Sequence, residues 1–89
     1  MSGKRNPNAV TAQILEICTE GANKTRVVYQ ANLNSTTGKH YLNSLMKSGL
    51  IEAIPDGSRF IYKTTSKGRE LQERLGEFKS MMDHLYAHA

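Results

Sequence analysis

Residues 21–51 read GANKTRVVYQANLNSTTGKHYLNSLMKSGLI, and the punctuation of this stretch constrains everything around it. Asn23 is a good N-cap for a helix from Lys24 to about Ala31, since its amide oxygen can accept one of the free N–H groups of a first turn. Val27, Val28 and Ala31 supply that helix with a short inward face. Asn32 tolerates the left-handed conformation that ends a helix, Leu33 is apolar enough to plug the turn, and Asn34 can cap a second helix. That helix is expected over residues 35–48, stopped by Gly49 as a left-handed residue. Two helices separated by a turn of three residues, Asn32 to Asn34, have the geometry of a helix-turn-helix.

The two faces of the 35–48 helix differ in kind. Tyr41, Leu42, Leu45 and Met46 line one side, with Gly38 one turn earlier allowing close backbone approach. On the other side Ser35 or Thr36, Lys39, His40, Asn43 and Lys47 recur at helical spacing. A solvated helix face normally mixes both signs of charge, yet residues 21–51 hold four basic residues and no carboxylate. The whole chain has 12 Lys and Arg against 8 Asp and Glu, net +4. All of that excess lies before Thr64, while the acids and bases from Thr64 onward balance. The positive charge therefore has an address, and the acid-free stretch is a candidate polyanion footprint.

At 89 residues the chain has room for one small core, which excludes two-lobed and nested cofactor-binding folds. Upstream of the quoted stretch, Val10, Ile14, Ile17 and Cys18 recur on one helical face, with Leu15 widening it, Asn8 as the expected N-cap and Gly21 as the expected stop. Residues 1–7 are expected to form a flexible basic tail, in which Lys4 and Arg5 are either an arm or an aid to solubility. Downstream come LIEAI, the turn Pro55-Asp56-Gly57-Ser58, and RFIYKT, which predict a β-hairpin packed down through Ile51, Ile54, Phe60 and Tyr62. Its tip carries Gly57, Ser58 and Arg59. Thr65 caps a last helix from Ser66 to about Tyr86. Leu71, Leu75, Phe78, Met82 and Leu85 follow the 4, 3, 4, 3 spacing of a coiled-coil seam along it.

This order of elements is mainly α with one β-hairpin, a winged helix-turn-helix over residues 8–65 with a long C-terminal helix over 66–89. The run TRVVYQANLNSTTGKHYLNSLMKSGLIE, the hairpin, and KTTSKGRELQERL together resemble the small basic winged-helix DNA-binding proteins of archaea. The likeness covers roughly residues 10–85 and rests on Tyr29 to Leu33, on Tyr41 with Leu45 and Met46, on Gly49-Leu50-Ile51, and on Thr65, Lys67, Gly68 and Leu71. It departs where such proteins commonly carry Leu immediately before the capping Thr, since this chain has Thr64 there. The resemblance implies a homodimer paired as an antiparallel coiled coil of the C-terminal helices. It also implies binding of double-stranded DNA, as a transcriptional regulator or a chromatin-type protein, with the 35–48 helix toward the major groove.

In that setting Lys39 suits guanine O6 and N7, Asn43 suits adenine N6 and N7, and Ser35, Thr36 and His40 suit base edges or phosphates, with Lys47 on the same face. Lys24, Thr25 and Arg26, in the first turn of the preceding helix, are either phosphate contacts or an exposed terminus. On the 55–59 wing, Ser58 and Arg59 are either minor-groove or phosphate contacts, or a solvated turn. The seam residues Leu71, Leu75, Phe78, Met82 and Leu85 either pair two chains or fold back on their own domain. Pairing would place half-sites about 10 base pairs apart. The competing reading of the whole chain is a winged-helix docking module for other proteins. RNA binding is weaker, because Phe60 and Tyr62, the only aromatics alternating on a strand, are expected to serve the core.

Enzymatic activity is not expected. Cys18, the single cysteine, lies on an apolar helix face with no His nearby in sequence and reads as a buried inert thiol, in keeping with a reducing, cytoplasmic and nucleoid-associated location. His84 and His88 with Asp83 make a poor metal site at a helix end, and no metal, cofactor or small-molecule ligand is expected. No apolar run reaches the roughly 20 residues that span a bilayer, and MSGKRNPN has no apolar core of a signal peptide.

Overall fold

In the computed structural model, which describes residues 6–87, the elements follow the order α1 (Pro7–Ile17), α2 (Lys24–Gln30), α3 (Ser35–Lys47), β1 (Ile51–Asp56), β2 (Arg59–Thr64) and α4 (Ser66–Ala87). Three asparagines begin three of the helices. The side-chain oxygens of Asn6, Asn23 and Asn34 accept from the backbone N–H of Asn8, Arg26 and Thr37, each at 2.8 Å. The cap of α1 is thus Asn6 and not Asn8. Pro7, which has no N–H to leave unsatisfied, takes the first helical position, so the expected tail loses Asn6 and Pro7 to the fold. Residues 1–5, with Lys4 and Arg5, lie outside the described residues.

Helices α2 and α3 end in the same way. After α2, Asn32 takes φ 54°, Leu33 N–H donates to the Val28 carbonyl at 2.9 Å and Asn32 N–H to that of Tyr29 at 3.2 Å. After α3, Gly49 takes φ 75°, with Leu50 N–H on the Leu45 carbonyl and Gly49 N–H on that of Met46. Both are Schellman ends, which satisfy the last free carbonyls and turn an apolar residue, Leu33 or Leu50, inward. Where α2 and α3 face each other, a methyl group on Gly38 would lie 2.6 Å from Val28 Cγ2, so glycine there sets the helix separation.

Helix α1 stops at Ile17, short of Gly21. Its ending combines local and distant donors: the Thr19 hydroxyl donates to the Leu15 carbonyl at 3.0 Å, Thr19 N–H to that of Glu16 and Gly21 N–H to that of Cys18. Thr64, at the end of β2, donates its hydroxyl to the Leu15 carbonyl at 2.7 Å and its N–H to the Cys18 carbonyl at 3.0 Å. The departure from leucine at position 64 is thereby explained. A leucine could fill the space but would forfeit this hydrogen bond, leaving Leu15 O to the Thr19 hydroxyl alone; Thr64 is the one buried polar residue of the described chain. Gly21, at φ 100°, then turns the chain so that Ala22 exchanges two backbone hydrogen bonds with Tyr62. Ala22 is in effect a one-residue third strand beside β2.

The hairpin register pairs Asp56 with Arg59, leaving Gly57 and Ser58 as a two-residue loop with Gly57 at φ 65°. Pro55 and Asp56, expected in the turn, belong to β1. Pro55 opposes Phe60 at the next, non-hydrogen-bonded position, where its missing N–H does not break the ladder. Ile51 and Tyr62 pack onto the core as expected, whereas Ile54 is on the opposite face beside Ile61, and Phe60 is half exposed near the tip. Strand period explains the first difference, since residues 51 and 54 cannot share a face.

The core comprises Val10, Ile14 and Leu15 of α1 with Cys18 at its end, Ala22, Val27 and Ala31, Leu42 and Leu45 of α3, and Ile51. Each large aliphatic member contributes roughly 1.5–3 kcal/mol by leaving water. Helix α4 is fastened to this body at its start. Thr65 accepts from Gly68 N–H at 3.1 Å, donates its hydroxyl to the Gly49 carbonyl at 2.6 Å and its N–H to that of Leu50 at 3.0 Å, while Lys67 Nζ reaches the Ser48 carbonyl at 2.8 Å. Leu71 then packs against the core, and Gln72 donates to Glu16 of α1 at 2.5 Å.

Two glycines of α4 give a direct check. A methyl on Gly68 would sit 2.1 Å from the Leu50 carbonyl oxygen, whereas one on Gly76 would meet nothing within 4 Å. Gly68→Ala is expected to lower stability by about 1–3 kcal/mol through overpacking, and Gly76→Ala to raise it by up to about 1 kcal/mol through helix propensity. Thermal unfolding followed by circular dichroism, at one protein concentration, reads both.

Candidate nucleic-acid interface

The inward side of α3 is occupied by Leu42 and Leu45, buried, and by Tyr41 and Met46, half-buried against the core. The remainder of the helix is consequently turned out. Ser35, Thr36, Lys39, His40, Asn43 and Lys47 are all exposed, so the structure gathers on one element the six residues expected to face a polyanion there. Lys47 is in the last turn, where a cation also suits the helix dipole. Lys79 pairs with Asp83 on α4, whereas Lys24, Arg26, Lys39 and Lys47 form no ion pair with a carboxylate of the described residues.

Lys24, Thr25 and Arg26 open α2, with Thr25 and Arg26 exposed and Lys24 partly covered. A cleft runs between this turn and the beginning of α3, and Lys24, Thr25 and Ser35 line it together. Ser58 and Arg59 do not join that group. They occupy the exposed far end of the wing, where Arg59 opposes Asp56 across the hairpin.

Two exposed aromatics did not figure among the expected contact residues. Tyr29 is 84% exposed, and it lines the same cleft as Lys24 and Ser35. Its position was legible, since it follows Thr25 by four residues and lies away from the Val27 and Ala31 face. Phe60 is 50% exposed on the wing, which corrects the expectation that it serves the core.

Along α4, the seam divides. Leu71 packs on its own domain and Leu75 is half-buried, whereas Phe78 and Leu85 are each 59% exposed, with Met82 between them and Met81 and Tyr86 exposed alongside. The inner third of the seam therefore folds back, and the outer part is left as an apolar strip on a helix that runs past the core. His84 is exposed, His88 lies outside the described residues, and among those residues no group of three His, Cys, Asp or Glu could hold a metal ion. No helix of the described chain is long and apolar enough to cross a membrane.

The sequence profile of the winged helix-turn-helix family matches residues 4–83. The chain belongs to that family. Among solved structures, Sso10a-2, a DNA-binding protein from Sulfolobus solfataricus, is 32% identical with a TM-score of 0.85, the match covering 94% of this chain and 88% of that one. This likeness places the chain with the small archaeal winged helix-turn-helix proteins. The transcriptional regulator BldR from Sulfolobus solfataricus is 16% identical at a TM-score of 0.77, covering 91% of this chain and 62% of that one. The PcaV transcriptional regulator from Streptomyces coelicolor is 20% identical at 0.79, covering 88% and 61%. At these identities the two regulators share the fold. A comparison with curated proteins finds no match.

Cys18 caps the end of α1, fully buried, and burial pushes its thiol up to about 11. A thiol held protonated is a poor nucleophile, so a water-soluble disulfide reagent at neutral pH is expected to label Cys18 only as fast as the protein unfolds. The raised value means that the native state holds its proton more tightly than the unfolded chain does. This contribution to stability is present below about pH 9 and is lost as pH rises toward 11. Denaturant midpoints measured across that range check the sign.

Proposed function

We propose that this protein is a dimeric binder of double-stranded DNA, a transcriptional regulator or chromatin-type protein, and that it has no catalytic role. The observation that carries this reading is the outward face of α3, where Lys39, His40, Asn43 and Lys47 stand exposed and neither lysine pairs with a carboxylate of the described residues. A helix so presented fits the major groove. Lys39 and Asn43 would read base edges there, Ser35, Thr36 and His40 would meet bases or phosphates, and Lys24, Thr25 and Arg26 would hold the backbone. The wing, with Ser58 and Arg59, would reach the neighbouring backbone or minor groove. Its small net charge gives it a lesser share of the affinity than α3.

Gel-shift titrations of a random duplex at several salt concentrations test the reading. The association constant should fall with a log–log slope near −0.9 for each phosphate contacted. Lys39→Ala with Asn43→Ala should weaken binding to a selected site by about tenfold to a hundredfold and relax its sequence preference. Intact DNA binding in that double variant would instead make the α3 face a surface for docking other proteins.

Pairing through α4 is the second part of the proposal. Phe78, Met82 and Leu85 continue the stripe that Leu71 and Leu75 begin, and an apolar strip on a projecting helix is what a second copy would cover. An antiparallel coiled coil of two such helices would set two α3 helices on one face of a duplex. Phe78→Asp with Leu85→Asp is expected to convert dimers to monomers in sedimentation velocity runs while circular dichroism shows the winged domain still folded. DNA affinity should fall with the loss of the second half-site.

A further inference from the structure

The cleft between α2 and the start of α3 holds a side chain, Tyr29, to which the major-groove reading gives no part. Val28 and Leu33 are partly buried members of its wall, and Lys24, Thr25, Tyr29, Asn32 and Ser35 complete the lining. Lys24, Thr25, Tyr29 and Ser35 come from two helices and each can donate a hydrogen bond, while the Asn32 amide in the turn between them can donate or accept. No carboxylate occurs anywhere between Gly21 and Ile51, so nothing in this part of the chain competes for them.

Tyr29 is the unusual member. Aromatic side chains bury large areas when a fold can use them, yet this ring is 84% exposed, and its hydroxyl has no hydrogen-bond partner within the described chain. The α2 pattern turns it outward beside Thr25, one helical turn back, while Val27 and Ala31 take the core. A concave, donor-rich and acid-free surface next to the exposed first turn of α3 is complementary to anionic oxygen.

We propose that this cleft is a seat for one backbone phosphate of the bound duplex, with Tyr29 donating its phenolic hydroxyl to a phosphate oxygen beside Lys24 and Ser35. The ring then lies against the adjoining deoxyribose, and the phosphate so held fixes how far the first turn of α3 enters the groove. This rests on the DNA-binding reading above and assigns to Tyr29 a part in positioning the duplex, without base preference.

The test uses the full chain and fluorescence anisotropy with a selected site and a random duplex. Tyr29→Phe should weaken both by a similar factor, about tenfold, the size expected for one hydrogen bond to a charged oxygen. Its salt slope should be unchanged, because no cation is removed. Lys24→Ala should weaken binding and also reduce the slope by about one phosphate. Placing a neutral methylphosphonate at successive backbone positions should reveal one position that weakens the wild type and adds nothing to Tyr29→Phe. Wild-type affinity in Tyr29→Phe, a loss confined to the selected site, or a shift of Tyr29→Phe from dimer to monomer in sedimentation would each overturn the seat while leaving DNA binding intact. If the wild type itself retards no duplex, the DNA-binding reading falls and the seat with it.

Discussion

The joint at which α4 leaves the winged domain fixes the relation between the two faces this protein presents. The carbonyls of Ser48, Gly49 and Leu50, at the end of α3, are taken by Lys67 Nζ, the Thr65 hydroxyl and the Thr65 N–H. Thr65 in turn accepts from Gly68, and Gly68 lets α4 press on the Leu50 carbonyl. The chain just past the end of α3 is thus tied to the beginning of α4. In the proposed dimer this joint would link the packing of the α4 helices to the spacing of the two α3 helices. Gly49 and Leu50 on one side and Thr65, Lys67 and Gly68 on the other, which looked like fragments of a family signature, are the two halves of this one contact.

Much of the fold was legible because its signals are local. Asn23, Asn34, Asn32 and Gly49 each act within a few residues, and each does what its side chain or lack of one dictates. The α3 faces were legible for the same reason, since helical period alone separates Leu42 and Leu45 from Lys39 and Asn43. The end of α1 was legible only in part, because Thr64 joins the local donors Thr19 and Gly21 there from 49 residues away in sequence. Gly21 looked like a helix stop but serves the turn into Ala22, whose pairing with Tyr62 is again long-range. On the wing, alternation announced strands, but how far the core reaches beneath them is a tertiary fact, and Phe60 lies past its edge. For the site, Lys24 and Ser35 could be named separately, while their meeting in one cleft with Tyr29 required the fold.

The choice of caps carries a further consequence for charge. Asp serves as an N-cap about as well as Asn, and acids in a first turn are favoured by the helix dipole. Yet the caps of α1, α2 and α3 are all asparagine, and none of the four helices has an acid in its first turn. The chain therefore secures its helix ends by hydrogen bonds that are neutral and forgoes roughly 0.3–1 kcal/mol of dipole stabilisation at each. For α2 and α3 the effect is to leave the positive ends of both helices uncancelled on the side where Lys24, Arg26 and Lys39 already stand free of carboxylates. Half of the acids the chain does possess, Glu70, Glu73, Glu77 and Asp83, lie on α4, and none lies between Gly21 and Ile51. An anion placed at the α2 and α3 termini from outside would restore the missing interaction, so in the proposed complex with DNA the same omission that weakens the isolated fold would favour binding.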